Sequence, residues 1–205
     1  AIGAGNLDYA VNVQSGDEFE DLAASFNHMA ADLKDHIENL KKTTAEKERI
    51  EKELEIAKVI QQSFLPETAP RLPGMELEGF NLPAAEVGGD FYDFIALDDE
   101  QWGLVIADVS GKGVPAALFM ALSRTLVRAS TFHYHDPAES IREANLNIFL
   151  DSKTSMFVTL FYAVLDASRK VLTYVNAGHN PPMLFSSGTS GVTLLEAQGI
   201  ALGVI

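Results

Sequence analysis

The first third of the chain carries apolar residues at helical spacing. From residue 18 onward they recur every three or four positions, which predicts an amphipathic helix. Residues 34–64 continue without glycine or proline, and Pro66 then ends the helix. We predict a coiled-coil strand over this stretch, with a single amphipathic helix packed on its own domain as the alternative. Gln61 is a polar residue at an otherwise apolar position of the repeat.

The remaining residues predict a compact domain rich in strands. Strands are expected at 75–85, 91–97 and 101–108, because β-favouring runs there are separated by a Gly-Gly break and an acidic turn. Two helices are expected together in the middle, at 114–134 and from 137 to about 150. Two hairpins should follow, at 156–166 with 170–177 and at 182–185 with 192–196. Clustered helices between strands favour an α+β fold over alternating β/α units.

Composition narrows the classes of function. The formal net charge is -14 and the pI about 4.6, which disfavours a nucleic-acid binder. The excess of carboxylates suits a protein that holds hard divalent cations, although an acidic surface also simply aids solubility. The chain has no cysteine, which excludes disulfides, thiolate zinc sites and cysteine nucleophiles. It has no apolar run long enough for a membrane span.

Two acidic segments next to predicted strands are the strongest candidates for chemistry. Asp90 follows a Gly-Gly pair and enters one strand, and Asp108 ends the run Leu104-Val105-Ile106 of the next strand. A carboxylate at the end of a buried strand is costly unless it is paired, and Mg²⁺ or Mn²⁺ is one possible partner. The alternative is structural: Asp108 caps a turn and Asp90 starts a strand. Spacing alone leaves both interpretations open.

Four segments resemble a known family, in the expected order. They are residues 55–66 (EIAKVIQQSFLP), 86–93 (EVGGDFYD), 107–117 (ADVSGKGVPAA) and 176–182 (NAGHNPP). Together they resemble bacterial serine/threonine phosphatases of the stage-II-sporulation-E type, within the protein phosphatase 2C superfamily. The resemblance implies a β-sandwich flanked by helices. It also implies two Mn²⁺ or Mg²⁺ ions, held by Asp90, by Asp108 and by the backbone carbonyl of Val109, and hydrolysis of a phosphoester by water activated between the ions.

The same resemblance suggests further residues and partners. Asp93, Gly111 and His179 are candidates for the loops around the site, and His179 could either contact phosphate or brace its loop. The expected substrate is a phosphorylated anti-sigma-factor antagonist of the STAS type, and no nucleic acid is expected. The helices that begin at Val114 are expected to be regulatory; Val114, Leu118 and Leu122 are the residues singled out there.

Residues 3–33 resemble the later part of a HAMP signalling module, with Gly5-Asn6-Leu7 as its connector. We therefore predict a partial HAMP-like module at 1–33, a coiled-coil linker at 34–66 that forms a homodimer, and a phosphatase domain at 67–205. HAMP modules follow a membrane helix. We expect this chain to be the cytoplasmic portion of a membrane-anchored bacterial protein, anchored only through N-terminal helices outside the sequence.

The sequence departs from the family pattern at one point. The family's later metal-binding aspartates, in an Asp-Gly and an Asp-Asp segment, are not found before Ile205. We therefore expect the phosphatase domain to lack its C-terminal part, and the activity of this stretch by itself is left open. The alternative is a catalytically inactive module that keeps the fold for signalling or dimerisation.

Overall fold

The computed structural model describes residues 6–83, 86–153, 155–186 and 191–205. Gly3, Gly5, the last two positions of the predicted strand 75–85 and most of the predicted turn at 186–191 lie outside these ranges. The chain divides into two compact units, Ala1–Glu53 and Leu54–Ile205. Among the described residues, no helix is long and apolar enough to cross a membrane.

A single helix, α1, runs over Glu18–Phe64 and confirms the predicted long helix. Its first turn carries Glu18, Glu20 and Asp21, where negative charge favours helix formation. Glu20 accepts a hydrogen bond from the Gly16 backbone N–H, which closes the helix start. The helix ends just before Pro66, which cannot continue it.

In the N-terminal unit, one face of α1 packs against residues 8–13. The side chain of Asn27 pairs with both backbone groups of Val11, at 2.8 Å each. Residues 7–13, which look extended in the sequence, form no strand. A second face of α1 exposes apolar side chains at spacings of three and four: Phe19, Leu22, Phe26, Met29, Leu33, Ile37 and Leu40. These side chains form an apolar stripe that no other element covers in the part of the chain that the structure describes.

After the end of α1, the second unit contains two β-sheets and two helices. Its strands are β1 Phe91–Ala96, β2 Gln101–Val109, β3 Val158–Asp166, β4 Val171–Ala177, β5 Met183–Phe185 and β6 Val192–Leu194. Strands β1 to β4 form one antiparallel sheet in sequence order, and β5 pairs with β6 in a second. The helices are α2 Val114–Thr131 and α3 Pro137–Asp151. The α+β prediction is confirmed.

The core lies between the four-stranded sheet and the two helices. Alternate residues of β1 and β2, such as Phe91, Ile95 and Val105, are buried there against α2 residues such as Met120 and Val127. From α3, Ile148 completes this core and is fully buried. The opposite face of β1 and β2 is more open, and Ile106 on that face is 49% exposed. The two faces of one sheet therefore differ in environment.

Two sequence predictions are corrected by the structure. Residues 75–83 form no strand; they carry only an isolated bridge between Leu72 and Met75. The alternating pattern there reflects an extended segment without a paired neighbour among the described residues. Helix α2 ends at Thr131 and not at residue 134, because the backbone N–H groups of His133 and Tyr134 both turn back to the Ser130 carbonyl.

Candidate active site

The β1–β2 register places the two predicted aspartates opposite each other. Phe91 pairs with Ala107, so the preceding Asp90 faces the following Asp108 across the strands. Asp108 in turn pairs with Thr159 of β3. The Thr159 hydroxyl lies 2.9 Å from Nδ1 of His179, which follows β4. Four polar side chains therefore form a row across one end of the sheet.

This row lies on the face of the sheet that the helices do not cover. Side chains alternate along a strand, so Asp90 shares a face with Tyr92, and Asp108 shares one with Ile106. An open cavity of about 270 Å³ is lined by Asp90, Tyr92, Ile106 and Asp108, together with His179 and residues 80–82. The aspartates are exposed at this cavity, and the expected buried strand end at Asp108 is therefore wrong. What makes the pair costly is proximity of like charges.

The pKa of Asp90 reflects first the partial burial of its carboxyl and then that proximity. Desolvation of its carboxyl, then a hydrogen bond and charge repulsion from Asp108, raise the pKa of Asp90 to about 6. Two carboxyl groups so close favour sharing a proton or binding a cation over carrying two free negative charges. A bound cation would relieve the repulsion between these carboxylates.

The loop after β4 holds His179 in place. Asn176 is buried, and its side chain accepts from the His179 backbone N–H at 2.7 Å and donates to the His179 carbonyl at 2.9 Å. Gly178 between them has φ +71, and a Cβ there would lie 2.9 Å from the Ala201 nitrogen. Burial lowers the pKa of His179, against the opposing attraction of Asp108. Burial of His179 thus favours its neutral imidazole.

Asp93 lies on the other face of β1 and does not line the cavity. It is 2% exposed and faces α2, where Nη1 of Arg128 donates to both its oxygens at 2.9 and 2.8 Å. Nη2 of Arg124 is 2.9 Å away. Since Asp93 is three positions after Asp90, strand alternation puts the two on opposite sides. Its position is that of a buried ion-pair partner between sheet and helix.

The other predicted residues lie around the loop after β2. Val109 is buried, and its carbonyl oxygen lies beside Gly89, where a Cβ would be 3.0 Å away. Gly111 has φ +93 and is exposed, outside the residues that line the cavity. Val114 and Leu118 are exposed on α2, at 43% and 68%, and Leu122 is half-buried. The structure thus groups Asp90, Asp108 and His179 and leaves these five apart from the cavity lining.

The donor set fits a hard divalent cation. Among the described residues no group of three or more His, Cys, Asp or Glu side chains is arranged as a metal cluster. Mg²⁺, however, is commonly held by one or two carboxylates and keeps several waters. Asp90 and Asp108 supply two carboxylates that face each other at an open cavity. These residues would therefore hold such an ion.

Sequence reasoning missed three residues that support the row. Asn81 donates to the Asp90 carbonyl at 2.8 Å, Thr159 joins Asp108 to His179, and Asn176 fixes the His179 loop. Thr159 is 51 residues from Asp108 and 20 from His179, whereas the contacts of Asn81 and Asn176 span nine and three residues. Only the pairing of β2 with β3 would have shown Thr159, whereas Asn176 begins a segment already recognised as a motif.

Solved structures share this fold. The SiaA-PP2C domain of Pseudomonas aeruginosa superposes with a TM-score of 0.64 at 22% identity, covering 78% of this chain and 65% of that one. The RsbU and RsbW domains of a Mycobacterium tuberculosis protein give 0.51 at 29% identity, covering 58% and 33%. The expected phosphatase 2C-like fold is confirmed by these neighbours.

Sequence relatives agree. Protein IcfG of Synechocystis sp. is 34% identical over 100% of this chain and 36% of its own length. Phosphoserine phosphatase RsbU of Bacillus subtilis is 32% identical over 77% of this chain and 47% of its own. The chain thus spans less than half the length of these relatives. The HAMP domain family matches residues 1–35, and Stage II sporulation protein E matches residues 98–205. The chain therefore belongs to the stage II sporulation protein E family, with a HAMP domain at its start.

Proposed function

We propose that this chain is the HAMP-linked phosphatase portion of a bacterial signalling protein, and that it hydrolyses phosphoserine or phosphothreonine in a protein substrate with Mn²⁺ or Mg²⁺. The observation that carries the proposal is the facing pair Asp90 and Asp108 on the open face of the sheet. Family membership supports it, because relatives such as RsbU and RsbP are named phosphoserine phosphatases.

The residues present divide the chemistry between them. Asp90 and Asp108 would hold two divalent ions, with the Val109 carbonyl as a further ligand. Bound cations lower the pKa of water and neutralise the phosphoryl oxygens. His179, fixed through Thr159 and Asn176, would offer the phosphoryl group a hydrogen bond at the edge of the cavity. The cavity opens to the surface, so a serine phosphate on a folded protein can reach it.

The proposed substrate is a phosphorylated antagonist of the STAS type. Its support is the likeness to RsbU, both in sequence and in the M. tuberculosis structure that joins RsbU and RsbW domains. The cavity beside residues 80–82 is open, so a phosphorylated residue on the surface of a folded protein can enter it.

We further propose that α1 forms a homodimer through the predicted coiled coil at 34–66 and the exposed stripe before it, and that this dimer controls the site. The exposed stripe from Phe19 to Leu40 has the three-four spacing of a coiled-coil seam. Rotation of this coiled coil would move the helices that begin at Val114 and complete metal binding, a two-state element biased from outside. The HAMP match supports anchoring in the membrane through preceding helices, with this portion in the cytoplasm. Leu54→Pro in the full protein should abolish the response to signal; unchanged activity and response would refute this control.

The test of the phosphatase is Mn²⁺-dependent phosphate release from a phosphoserine STAS antagonist by the full protein. Asp108→Ala should lower kcat/KM by roughly 100-fold or more, because it removes half of the facing pair. Asp99→Ala is the matched control: it removes an exposed aspartate at the other end of the sheet and should leave the rate unchanged. Equal rates for wild type and Asp108→Ala would refute the mechanism. A wild type without activity would favour the inactive signalling module.

A further inference from the structure

The polar residue that interrupts the repeat of α1 has a specific partner. Gln61 is only 8% exposed, near the end of the helix. Its side-chain Nε2 donates to the carbonyl of Gly88 at 2.5 Å, and its Oε1 accepts from the Gly88 backbone N–H at 3.0 Å. One side-chain amide thus pairs with both backbone groups of one residue, as a neighbouring strand would.

The residues after Gly88 leave little room to move. Gly89 is buried, and a Cβ there would lie 2.9 Å from Val109 Cβ, 3.0 Å from its carbonyl oxygen and 3.3 Å from Ala116 Cβ. The backbone therefore passes in close contact with the end of β2 and the start of α2. Asp90 comes next, and Asn81 holds its carbonyl at 2.8 Å. The position of the Asp90 backbone is fixed on both sides by side-chain amides.

A simpler role for Gln61 would be to attach the end of α1 to the domain. An apolar side chain would do that at lower cost, because a buried amide lowers stability unless its groups are paired. Hydrogen bonds are directional, so the paired amide fixes both the position and the orientation of the Gly88 backbone, two residues before Asp90. Such orientation matters for a metal ligand more than for helix attachment.

We propose that Gln61 is a positioning residue, which holds the Gly88-Gly89 turn so that Asp90 faces Asp108 in the arrangement that binds a divalent cation. The inference rests on the proposed function, since it assigns Gln61 a part in the same site. It predicts that metal affinity depends on a residue of α1 that contacts neither the metal nor the substrate.

The test is Mn²⁺ binding by calorimetry to the full protein, without substrate. Gln61→Met keeps the length of the side chain and removes both hydrogen bonds, and it should weaken Mn²⁺ binding roughly 10-fold, as loss of a supporting partner does at other metal sites. Gln62→Met changes the exposed neighbour of the same type and should bind Mn²⁺ as the wild type does. Hydrogen exchange of the wild type gives a second measurement that needs no variant: the Gly88 amide should exchange far more slowly than that of the exposed Gly191.

The outcomes separate the possibilities. Weaker Mn²⁺ binding by Gln61→Met alone, with a protected Gly88 amide, supports the inference. Lower thermal stability with unchanged Mn²⁺ affinity would show helix attachment only and overturn it, as would equal losses in both variants or a Gly88 amide as free as that of Gly191. Normal Mn²⁺ binding by a wild type without phosphatase activity would refute the proposed function and leave this inference standing. A wild type that binds no Mn²⁺ would overturn both.

Discussion

The ion pairs of Asp93 allow a stability prediction with a definite magnitude. Asp93→Asn keeps the shape of the side chain but removes its charge from two guanidinium groups. Arg124 is 16% exposed, and its buried Nε has no hydrogen-bond partner among the residues that the structure describes, so its charge cannot be rehydrated easily. Arg128 is 37% exposed and can turn partly to solvent. Removing one partner of a buried pair costs about 3–5 kcal/mol, and the exposure of Arg128 places this case near 3 kcal/mol.

The assay is urea unfolding of the metal-free protein, followed by far-UV circular dichroism. A loss of about 3 kcal/mol in the free energy of unfolding should also appear in thermal unfolding, as a melting temperature lower by roughly 6–12 °C for a domain of this size. The control replaces all three groups with apolar residues, Asp93→Leu with Arg124→Met and Arg128→Met. Because no charge is then left unpaired, the triple variant should be more stable than Asp93→Asn. A loss below about 1 kcal/mol for Asp93→Asn, or a triple variant less stable than the single one, would refute the reasoning.

Three further predictions follow from the site. The folded metal-free protein binds a proton at Asp90 more tightly than the unfolded chain does, because the pKa is raised from 3.8 to about 6, so its free energy of unfolding should fall as the pH rises between those values. Asp108→Asn should reduce that fall in urea titrations, and identical pH profiles for the two proteins would contradict the prediction. Gly89→Ala should lower the free energy of unfolding by about 1–3 kcal/mol, because the new Cβ would meet Val109, whereas the Cβ of Gly191→Ala meets no atom within 4 Å and should leave stability nearly unchanged. Equal melting temperatures for the two variants would disprove the close contact. The double variant Leu22→Lys with Met29→Lys places charges on the exposed apolar stripe and should abolish dimers in analytical ultracentrifugation, whereas Asp35→Lys should not. A dimer that survives the double change would exclude the stripe as the dimer interface.

The elements were largely predictable because their boundaries carry clear local signals. Pro66 ends α1, the Gly-Gly pair precedes β1, and Asp136 caps α3 just before Pro137. The extended segment at 75–83 was wrongly predicted as a strand, since alternation indicates an extended backbone but not a hydrogen-bonded neighbour. Local patterns describe what a segment can be, and pairing depends on the rest of the chain.

The candidate site was predictable only in Asp90, Asp108 and His179. Asp90 and Asp108 stand out as charges beside strands, but their side of the sheet follows from register, and the assignment of Asp93 to the same loop failed for that reason. The supporting contacts are harder still to predict from sequence: Gln61 and Gly88 are 27 residues apart, and Thr159 and Asp108 are 51 apart. No spacing in the sequence connects such pairs; the fold does.

The turn between β1 and β2 has a consequence for reading variants of this domain. The Asp98 side chain accepts from the backbone N–H groups of Glu100 and Gln101, which closes the hairpin at the end remote from the cavity. Asp90 lies eight residues away, about 25 Å along an extended strand. Phe91 and Ile95 on one face of β1 are buried in the core, so a one-residue slip of this strand would expose them and is disfavoured. An extra residue in the exposed turn should therefore lengthen the turn and leave Asp90 opposite Asp108, whereas substitutions at Phe91 or Ile95 would reach the cavity through the register of the strand.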